Sequence, residues 1–284
     1  MKRTLELIVV VLILAYYNAV MWYGHVFELS QTVSLEYMKP YVYRQLVPVI
    51  IRAMGWVRVD IATVIVTTCA GVGFYLSLCT LLKNKPLLPL FAVLIGLFLF
   101  SMWHKVYDFM TAWLWTILFL KLLDRNYKGF SMLFLLLCLN RIETALFIIP
   151  IYFLIERNWK FSILLSVLFV LLFVFLRFYF SDNVGVSALV EPTKNIHRLI
   201  THWELSLAHL LIFAVPFLLA VRQFSIIGQF YLILFPVFVV LYVVFGQAFE
   251  IRVFWEIYPL LISIISTSIP SPSSTPVLNF ATDS

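Results

Sequence analysis

The residues that could do chemistry are a small set of charged side chains placed between long apolar runs. Residues 23–51 follow the first apolar run and carry Glu28, Glu36 and Arg44 among four tyrosines and two prolines. A carboxylate can accept a proton from a hydroxyl group, and an arginine can bind a phosphate through two parallel N–H groups. Because most of the chain is apolar, this polar and aromatic loop is the leading candidate for one wall of a substrate site.

Arg141 and Glu143 give the strongest single signal, because they interrupt the apolar run 129–155. On a continuous helix, residues two apart point about 200° from each other, so these side chains can pair only where the helix breaks. Two interpretations stay open. The residues form a structural ion pair at the break, or they contact a substrate, for which the arginine fork suits a phosphate.

Other candidates lie at the ends of further apolar runs. His104 and Asp108 belong to WHKVYD, which we interpret as a tight outer turn, and Glu250, Arg252 and Glu256 precede the last apolar run. No hydrolase, ATPase, zinc-protease or dinucleotide motif is present in the sequence. No metal site is predicted from histidine or cysteine spacing.

The composition indicates a membrane protein. Of the 284 residues, 63% are hydrophobic and 12% are charged, whereas a soluble domain carries about 25% charged residues. The apolar runs are continuous and do not alternate, which favours a helical bundle over a barrel. The net charge of +6 comes from Lys and Arg at the ends of the runs. This placement is typical of contacts with lipid headgroups and does not indicate nucleic acid as a partner.

These elements predict an all-α, polytopic bundle of about eight spans, with additional re-entrant or interfacial half-helices. Residues 1–268 would form a single transmembrane domain, and the Ser-, Thr- and Pro-rich tail 269–284 is predicted to be disordered. Lys2 and Arg3 before the first run place the N-terminus in the cytoplasm. We expect a prokaryotic cytoplasmic membrane, a cytoplasmic C-terminus and a site that faces outside.

The run 129–155 allows two topologies. As one helix it would be about 39 Å long, which is more than a hydrocarbon core of about 30 Å requires. Basic residues flank both ends, with Arg125 and Lys128 before the run and Arg157 and Lys160 after it. The positive-inside rule therefore favours a hairpin whose tip is formed by residues 140–144.

Four short motifs carry a resemblance to a known family. They are Y-x-Y-R-x-L-x-P at residues 41–48, the acid Asp108, R-x-E inside the interrupted run, and E-x-R before the last run. Together they resemble small polytopic proteins grouped with the GT-C-type glycosyltransferases, which use polyprenyl-phosphate-linked sugars on the outer or lumenal face. That family usually has an Asp just after the first span, whereas residues 24–43 offer only Glu28 and Glu36.

The resemblance implies a GT-C-like fold and hexosyltransferase activity, with transfer of a sugar from a polyprenyl-phosphate-linked donor to an acceptor on the extracytoplasmic face. It implies Glu28, or else Glu36, as the catalytic base, and membrane lipids and the lipid-linked sugar as partners. The residues that would bind substrate or phosphate are Arg44, His104, Asp108, Arg141, Glu143, Glu250 and Arg252. Of these, His104 and Asp108 would orient the acceptor or hold a divalent cation. Two alternatives remain: a transporter or flippase for an anionic lipid or glycan, and a non-catalytic structural membrane subunit.

Overall fold

Helices make up the architecture. The computed structural model describes residues 2–22, 34, 43–82, 85, 87–99, 105–183, 192–223, 225–244 and 256–268. These residues contain twelve helices, and no strand occurs among them. The predicted all-α fold is therefore confirmed, and the tail 269–284 lies outside the described residues.

The helices are numbered here in chain order. Their bounds are α1 Lys2–Trp22, α2 Leu46–Ala53, α3 Val59–Leu81, α4 Leu88–Leu99, α5 Lys105–Leu123, α6 Tyr127–Ala145, α7 Ile148–Glu156, α8 Trp159–Tyr179, α9 Pro192–Thr201, α10 Trp203–Gln223, α11 Ile226–Val244 and α12 Tyr258–Ser268.

Two of these helices, α3 and α8, are long and apolar enough to cross a membrane, and α6 with α7 makes a third if the bent pair counts as one span. Helix α8 exposes a continuous apolar face that includes Val167, Leu171 and Val174, as a helix facing lipid does. Shorter apolar segments lie at Thr4–Ala19, Leu88–Leu97, Ile226–Leu241 and Tyr258–Ser268. The predicted count of about eight spans goes beyond these lengths and stays a prediction.

Helix α3 lies between α1 and α5, and two glycines let the three helices approach closely. A Cβ atom added at Gly71 would lie 2.8 Å from Leu14 of α1, and one added at Gly73 would overlap the Trp113 ring of α5. Small residues at helix contacts are typical of membrane bundles, where association depends on close packing. Side chains of α1 and α5 therefore pack directly on the two glycines of α3.

Residues 127–156 form the segment for which the sequence favoured a hairpin, and its two ends meet. Helices α6 and α7 are bent by 100°, the Tyr127 hydroxyl donates to Glu156 Oε2 at 3.4 Å, and the Phe130 and Tyr152 rings are 5.0 Å apart. A single crossing helix would hold its ends about 30 Å apart. The contacts therefore agree with the hairpin.

One local prediction is wrong. Asp108 does not lie in a tight turn, because α5 already begins at Lys105 and places Asp108 in its first helical turn. The physical reason is that an acidic side chain near a helix N-terminus stabilises the helix through its dipole, so the polar residues of WHKVYD do not end helical structure.

Candidate functional site

Of the residues predicted to form a site, five lie outside the described residues: Glu28, Glu36, His104, Glu250 and Arg252. The structure places the other four, which are Arg44, Asp108, Arg141 and Glu143. Two of these four, Asp108 and Arg141, meet in the interior of the bundle, and Glu256 joins them.

The backbone of Arg141 leaves the helical conformation, with φ −151° and ψ 86°, so that α6 is interrupted at the hairpin tip. The interruption lies within residues 140–144, where the tip was predicted. It sends the Arg141 side chain into the bundle, where only 5% of the residue is exposed.

Arg141 bridges two carboxylates from distant parts of the chain. Its Nη2 atom lies 3.0 Å from Asp108 Oδ1, and its Nη1 atom lies 2.9 Å from Glu256 Oε1. Asp108 and Glu256 are both fully buried. We call these three residues the Arg141 cluster. It joins the start of α5, the hairpin tip and the residues just before α12.

Among the described residues, the cluster consists of one guanidinium, which remains protonated in proteins, and two carboxylates. Removing charges from water is expensive, and the attraction within a buried cluster offsets that cost only with good geometry and additional hydrogen bonds. Buried carboxylates held by an arginine in this way can interact with a substrate hydroxyl, a proton or a cation.

Asn140, the residue before Arg141, fixes the hairpin tip against α5. Its Nδ2 donates to Thr111 Oγ1 at 2.7 Å, and both residues are fully buried. Thr111 lies three residues after Asp108 and therefore near it on the same helix face. Two consecutive residues of the tip thus contact one face of α5, which sets the position of the guanidinium.

Glu256 has one carboxylate oxygen engaged and one that is not. Oε1 accepts from Arg141, whereas Oε2 is buried and has no hydrogen-bond partner among the described residues. A buried polar atom usually has a partner, and leaving it without one costs about 1–3 kcal/mol. Within the described chain, Glu256 Oε2 is therefore a carboxylate oxygen of the cluster that can accept a further hydrogen bond.

Glu143 does not pair with Arg141, although the helix does break between the hairpin's two arms. Its side chain is exposed, and the ion-pair partners of Arg141 are Asp108 and Glu256. The break turns Arg141 inward and leaves Glu143 on the outer surface. Because both outer guanidinium nitrogens already contact carboxylates, phosphate binding by Arg141 is less suited to this geometry than an ion-pair role.

Arg44 is half-buried just before α2. The contacts of the preceding residue, Tyr43, show where in the bundle Arg44 lies. The Tyr43 ring lies under the Arg177 guanidinium at 4.7 Å and against the Phe180 ring at 6.4 Å. Arg177 is near the C-terminal end of α8, whereas the hairpin base contacts the start of α8. Arg44 therefore lies at the end of the bundle opposite the hairpin base.

Within the described part of the chain, no three His, Cys, Asp or Glu side chains group as a metal site. The Arg141 cluster supplies two carboxylates, and their mutual partner is an arginine. His104, the residue considered as a cation ligand with Asp108, lies outside the described residues.

Sequence reasoning named Glu256 only as part of the charged stretch before the last apolar run. The signal that could have singled it out is its position directly before the buried helix α12, since an acid that opens a buried apolar helix needs an interior partner. No family model, curated protein or solved structure matches this chain. The role of these residues is therefore inferred from their geometry and the sequence.

Proposed function

We propose that this chain is an integral membrane glycosyltransferase that moves a sugar from a polyprenyl-phosphate-linked donor to an acceptor hydroxyl on the extracytoplasmic face. The observation that carries the proposal is the Arg141 cluster. It brings together the acid of α5, the arginine of the interrupted run and the acidic segment before the last helix. Asp108 and Arg141 belong to two of the motifs on which the resemblance rests, and Glu256 follows the E-x-R motif of residues 250–252.

The cluster can support the proton transfer that the reaction needs. In an inverting transfer, a carboxylate removes the acceptor's proton as the acceptor oxygen bonds to the anomeric carbon, and the polyprenyl phosphate leaves with the electron pair of the broken C–O bond. The base must come within about 2.6–3.2 Å of the acceptor oxygen. Glu256 Oε2 is a buried carboxylate oxygen without another partner in the described chain, and it joins Glu28 and Glu36 as a candidate base.

The other residues take supporting roles. Arg141 is a positioning residue, because it fixes the Glu256 carboxylate through Oε1. Negative charge accumulates on the leaving phosphate and needs nearby cations. Arg44 and Arg252 are the proposed cations, since Arg141 is already held by two carboxylates. Asp108 orients Arg141 from the opposite side.

The topology that we propose has eight spans, namely α1, α3, α4, α5, α8, α10, α11 and α12. Helix α2 lies at the interface, because eight residues are too few to cross. The hairpin α6–α7 enters and returns. This order puts both termini in the cytoplasm and places the interruption at Arg141 on the outward-facing side of the hairpin.

A cysteine-labelling experiment tests this topology. Cys69, Cys79 and Cys138 are first replaced. Single cysteines are then placed at Lys128, near the start of the hairpin, and at Lys160, just after its end, where both side chains are exposed. A membrane-impermeant thiol reagent is then added to intact cells and to inverted vesicles. Labelling of both positions only in inverted vesicles is expected. Labelling of one position from each side would overturn the hairpin and the eight-span order.

The activity is tested in proteoliposomes that contain a radiolabelled polyprenyl-phosphate-linked hexose and a panel of acceptor glycans. Glu28→Gln is expected to abolish transfer without loss of expression or folding. A kcat lowered at least about 100-fold by Glu256→Gln, with Glu28→Gln still active, would instead identify Glu256 as the general base. Lys194→Gln, at an exposed position of α9, is the control. Full activity of Glu256→Gln would remove Glu256 from the mechanism, and full activity of Glu28→Gln would do the same for Glu28.

Transport of an anionic lipid or glycan is the second candidate. The observation that favours it is the interruption of a helix at a buried charged residue, because transporters build substrate sites from discontinuous helices. The same proteoliposomes separate the two candidates. A transporter moves the lipid-linked sugar between leaflets with its sugar–phosphate bond intact and without an acceptor, whereas the transferase releases free polyprenyl phosphate.

A further inference from the structure

Two turns at the base of the hairpin share a sequence pattern that the function proposed above does not use. Residues 124–128 read Asp-Arg-Asn-Tyr-Lys, and residues 156–160 read Glu-Arg-Asn-Trp-Lys. Each turn therefore has an acid, an arginine, an asparagine, an aromatic residue and a lysine in the same order. We call them the first and second basic turns.

The two turns also share a backbone. Arg125 and Arg157 both have φ 52°, and they are the non-glycine residues with positive φ in the described chain. Asn126 Oδ1 accepts from the Gly129 N–H at 2.9 Å, and Asn158 Oδ1 accepts from the Phe161 N–H at 3.2 Å. A left-handed conformation is unfavourable for an arginine. Its use at both positions fixes the two arginines in the same way relative to the helix that follows.

The turns lie side by side. The Tyr127 hydroxyl of the first turn donates to Glu156 Oε2 of the second at 3.4 Å, and the Tyr127 and Phe161 rings are 5.5 Å apart. The two repeats therefore form one continuous surface at the end of the bundle opposite Arg177.

This surface carries uncompensated positive charge. Arg125, Lys128, Arg157 and Lys160 are all exposed, and none has an ion pair within the described chain. The two turns contain two acids, Asp124 and Glu156, against these four cations. Glu156 also accepts the hydrogen bond from Tyr127. Trp159 is 57% exposed and contributes a ring of the kind that membrane proteins place at the headgroup level.

We propose that the two basic turns together form a binding surface for the headgroups of anionic phospholipids in the cytoplasmic leaflet. Each turn presents an arginine, a lysine and an aromatic ring within four residues, next to apolar helices. The cations attract the phosphate, and the exposed tryptophan lies at the boundary of the apolar region. The proposal uses the membrane placement given above and does not depend on sugar transfer.

The test measures the thermal stability of the purified full chain in neutral detergent with added phosphatidylglycerol, phosphatidylcholine or inorganic phosphate. Phosphatidylglycerol is expected to raise Tm by several degrees more than phosphatidylcholine at 50 mM NaCl, with a smaller difference at 500 mM NaCl, where surface charges are screened. The same rise with inorganic phosphate would overturn the lipid surface in favour of a free phosphate site.

Variants locate the effect. The quadruple variant Arg125→Asn/Lys128→Gln/Arg157→Asn/Lys160→Gln removes the four charges, and asparagine tolerates the left-handed backbone. It is expected to lose the preference for phosphatidylglycerol. Lys128→Gln/Lys160→Gln is expected to lose about half of the Tm difference, and this double variant carries the test if the quadruple variant does not fold. Lys194→Gln/Arg198→Gln removes two exposed charges of α9 and is expected to leave the Tm difference between phosphatidylglycerol and phosphatidylcholine unchanged.

An equal response of the Lys128/Lys160 and Lys194/Arg198 variants would contradict the proposal, because general electrostatic attraction would then explain the lipid preference. Native mass spectrometry gives a second readout. The unmodified chain is expected to retain phosphatidylglycerol molecules that the quadruple variant loses, and equal retention would overturn the assignment.

Discussion

The tip and the base of the hairpin are both rich in charge, yet their charged side chains are placed in opposite ways. At the tip, Arg141 is 5% exposed and bridges two buried carboxylates. At the base, the cations of the two basic turns, among them Arg157 and Lys160, are exposed and have no ion pair within the described chain. Both regions interrupt apolar sequence in a similar way. The position at which the backbone leaves the helix, inside the bundle or at its end, decides the role of the charge.

The difference also has an energetic meaning. A buried ion cluster contributes little net stability, because apolar replacements of similar volume are often neutral or stabilising, but removal of one partner is costly. Exposed charges contribute little in either direction. Single substitutions at the tip should therefore lower the stability of the protein strongly, whereas substitutions at the base should have little effect on stability in the absence of lipid.

The largest effect is expected from Arg141→Met, which leaves Asp108 and Glu256 buried without their counter-charge. Its free energy of unfolding should fall by about 3–5 kcal/mol, the cost of breaking a buried ion pair, as measured by denaturant titration in mixed micelles. Arg58→Met is the matched control, because Arg58 also binds a carboxylate, Asp60, but is 79% exposed. Its loss should be about 0–1 kcal/mol.

The same comparison can be sharpened with Asp108→Leu/Arg141→Met/Glu256→Leu. Removing all three charges should restore much of the stability that Arg141→Met loses, since no unpaired charge remains in the interior. The triple variant should have no sugar-transfer activity, because it lacks both carboxylates of the cluster. If the triple variant is as unstable as Arg141→Met, the cluster contributes shape and not charge to the packing.

A smaller loss is expected from Asn140→Ala, which removes the buried hydrogen bond to Thr111 Oγ1. The free energy of unfolding should fall by about 1–3 kcal/mol, because a buried polar group then loses its partner. A double-mutant cycle with Thr111→Val isolates the pair. Additive losses in the cycle would show that the hydrogen bond does not link the tip to α5.

At the base, Asn126→Ala and Asn158→Ala remove the side-chain caps of α6 and α8. Each should cost about 1 kcal/mol, as helix caps do, and the two losses should agree within about 0.5 kcal/mol because both turns use the same cap and backbone. Thermal unfolding in detergent measures both. A large loss from one variant alone would contradict the equivalence of the two turns.

The smallest effect is expected from Lys128→Gln and Lys160→Gln. In neutral detergent each should change the free energy of unfolding by no more than about 0.5 kcal/mol, because surface substitutions rarely do more. A loss above 2 kcal/mol from either variant, measured by the same titration as Arg141→Met, would remove the contrast between tip and base.

Several features follow from the sequence with little help from packing. The apolar composition predicts helices, and the basic flanks of the run 129–155 predict a hairpin, with which the contact between Tyr127 and Glu156 agrees. The polar residues 140–144 mark the interruption, because polar groups are costly within an apolar helix. The prediction of an outer turn at Asp108 is wrong, because polar residues in a first helical turn have the same composition as a loop.

By itself, the sequence therefore determined the helical class and the candidacy of Asp108 and Arg141, and it favoured the hairpin over a single span, since each depends on local composition and on charge beside apolar runs. The tertiary structure decided the partners. Asp108 and Glu256 lie 33 and 115 residues from Arg141 along the chain, and no periodicity within one helix relates them. It also separated Arg141 from Glu143, because the backbone break turns one side chain inward and leaves the other exposed. Contacts of this range arise only when packed helices fix which faces meet.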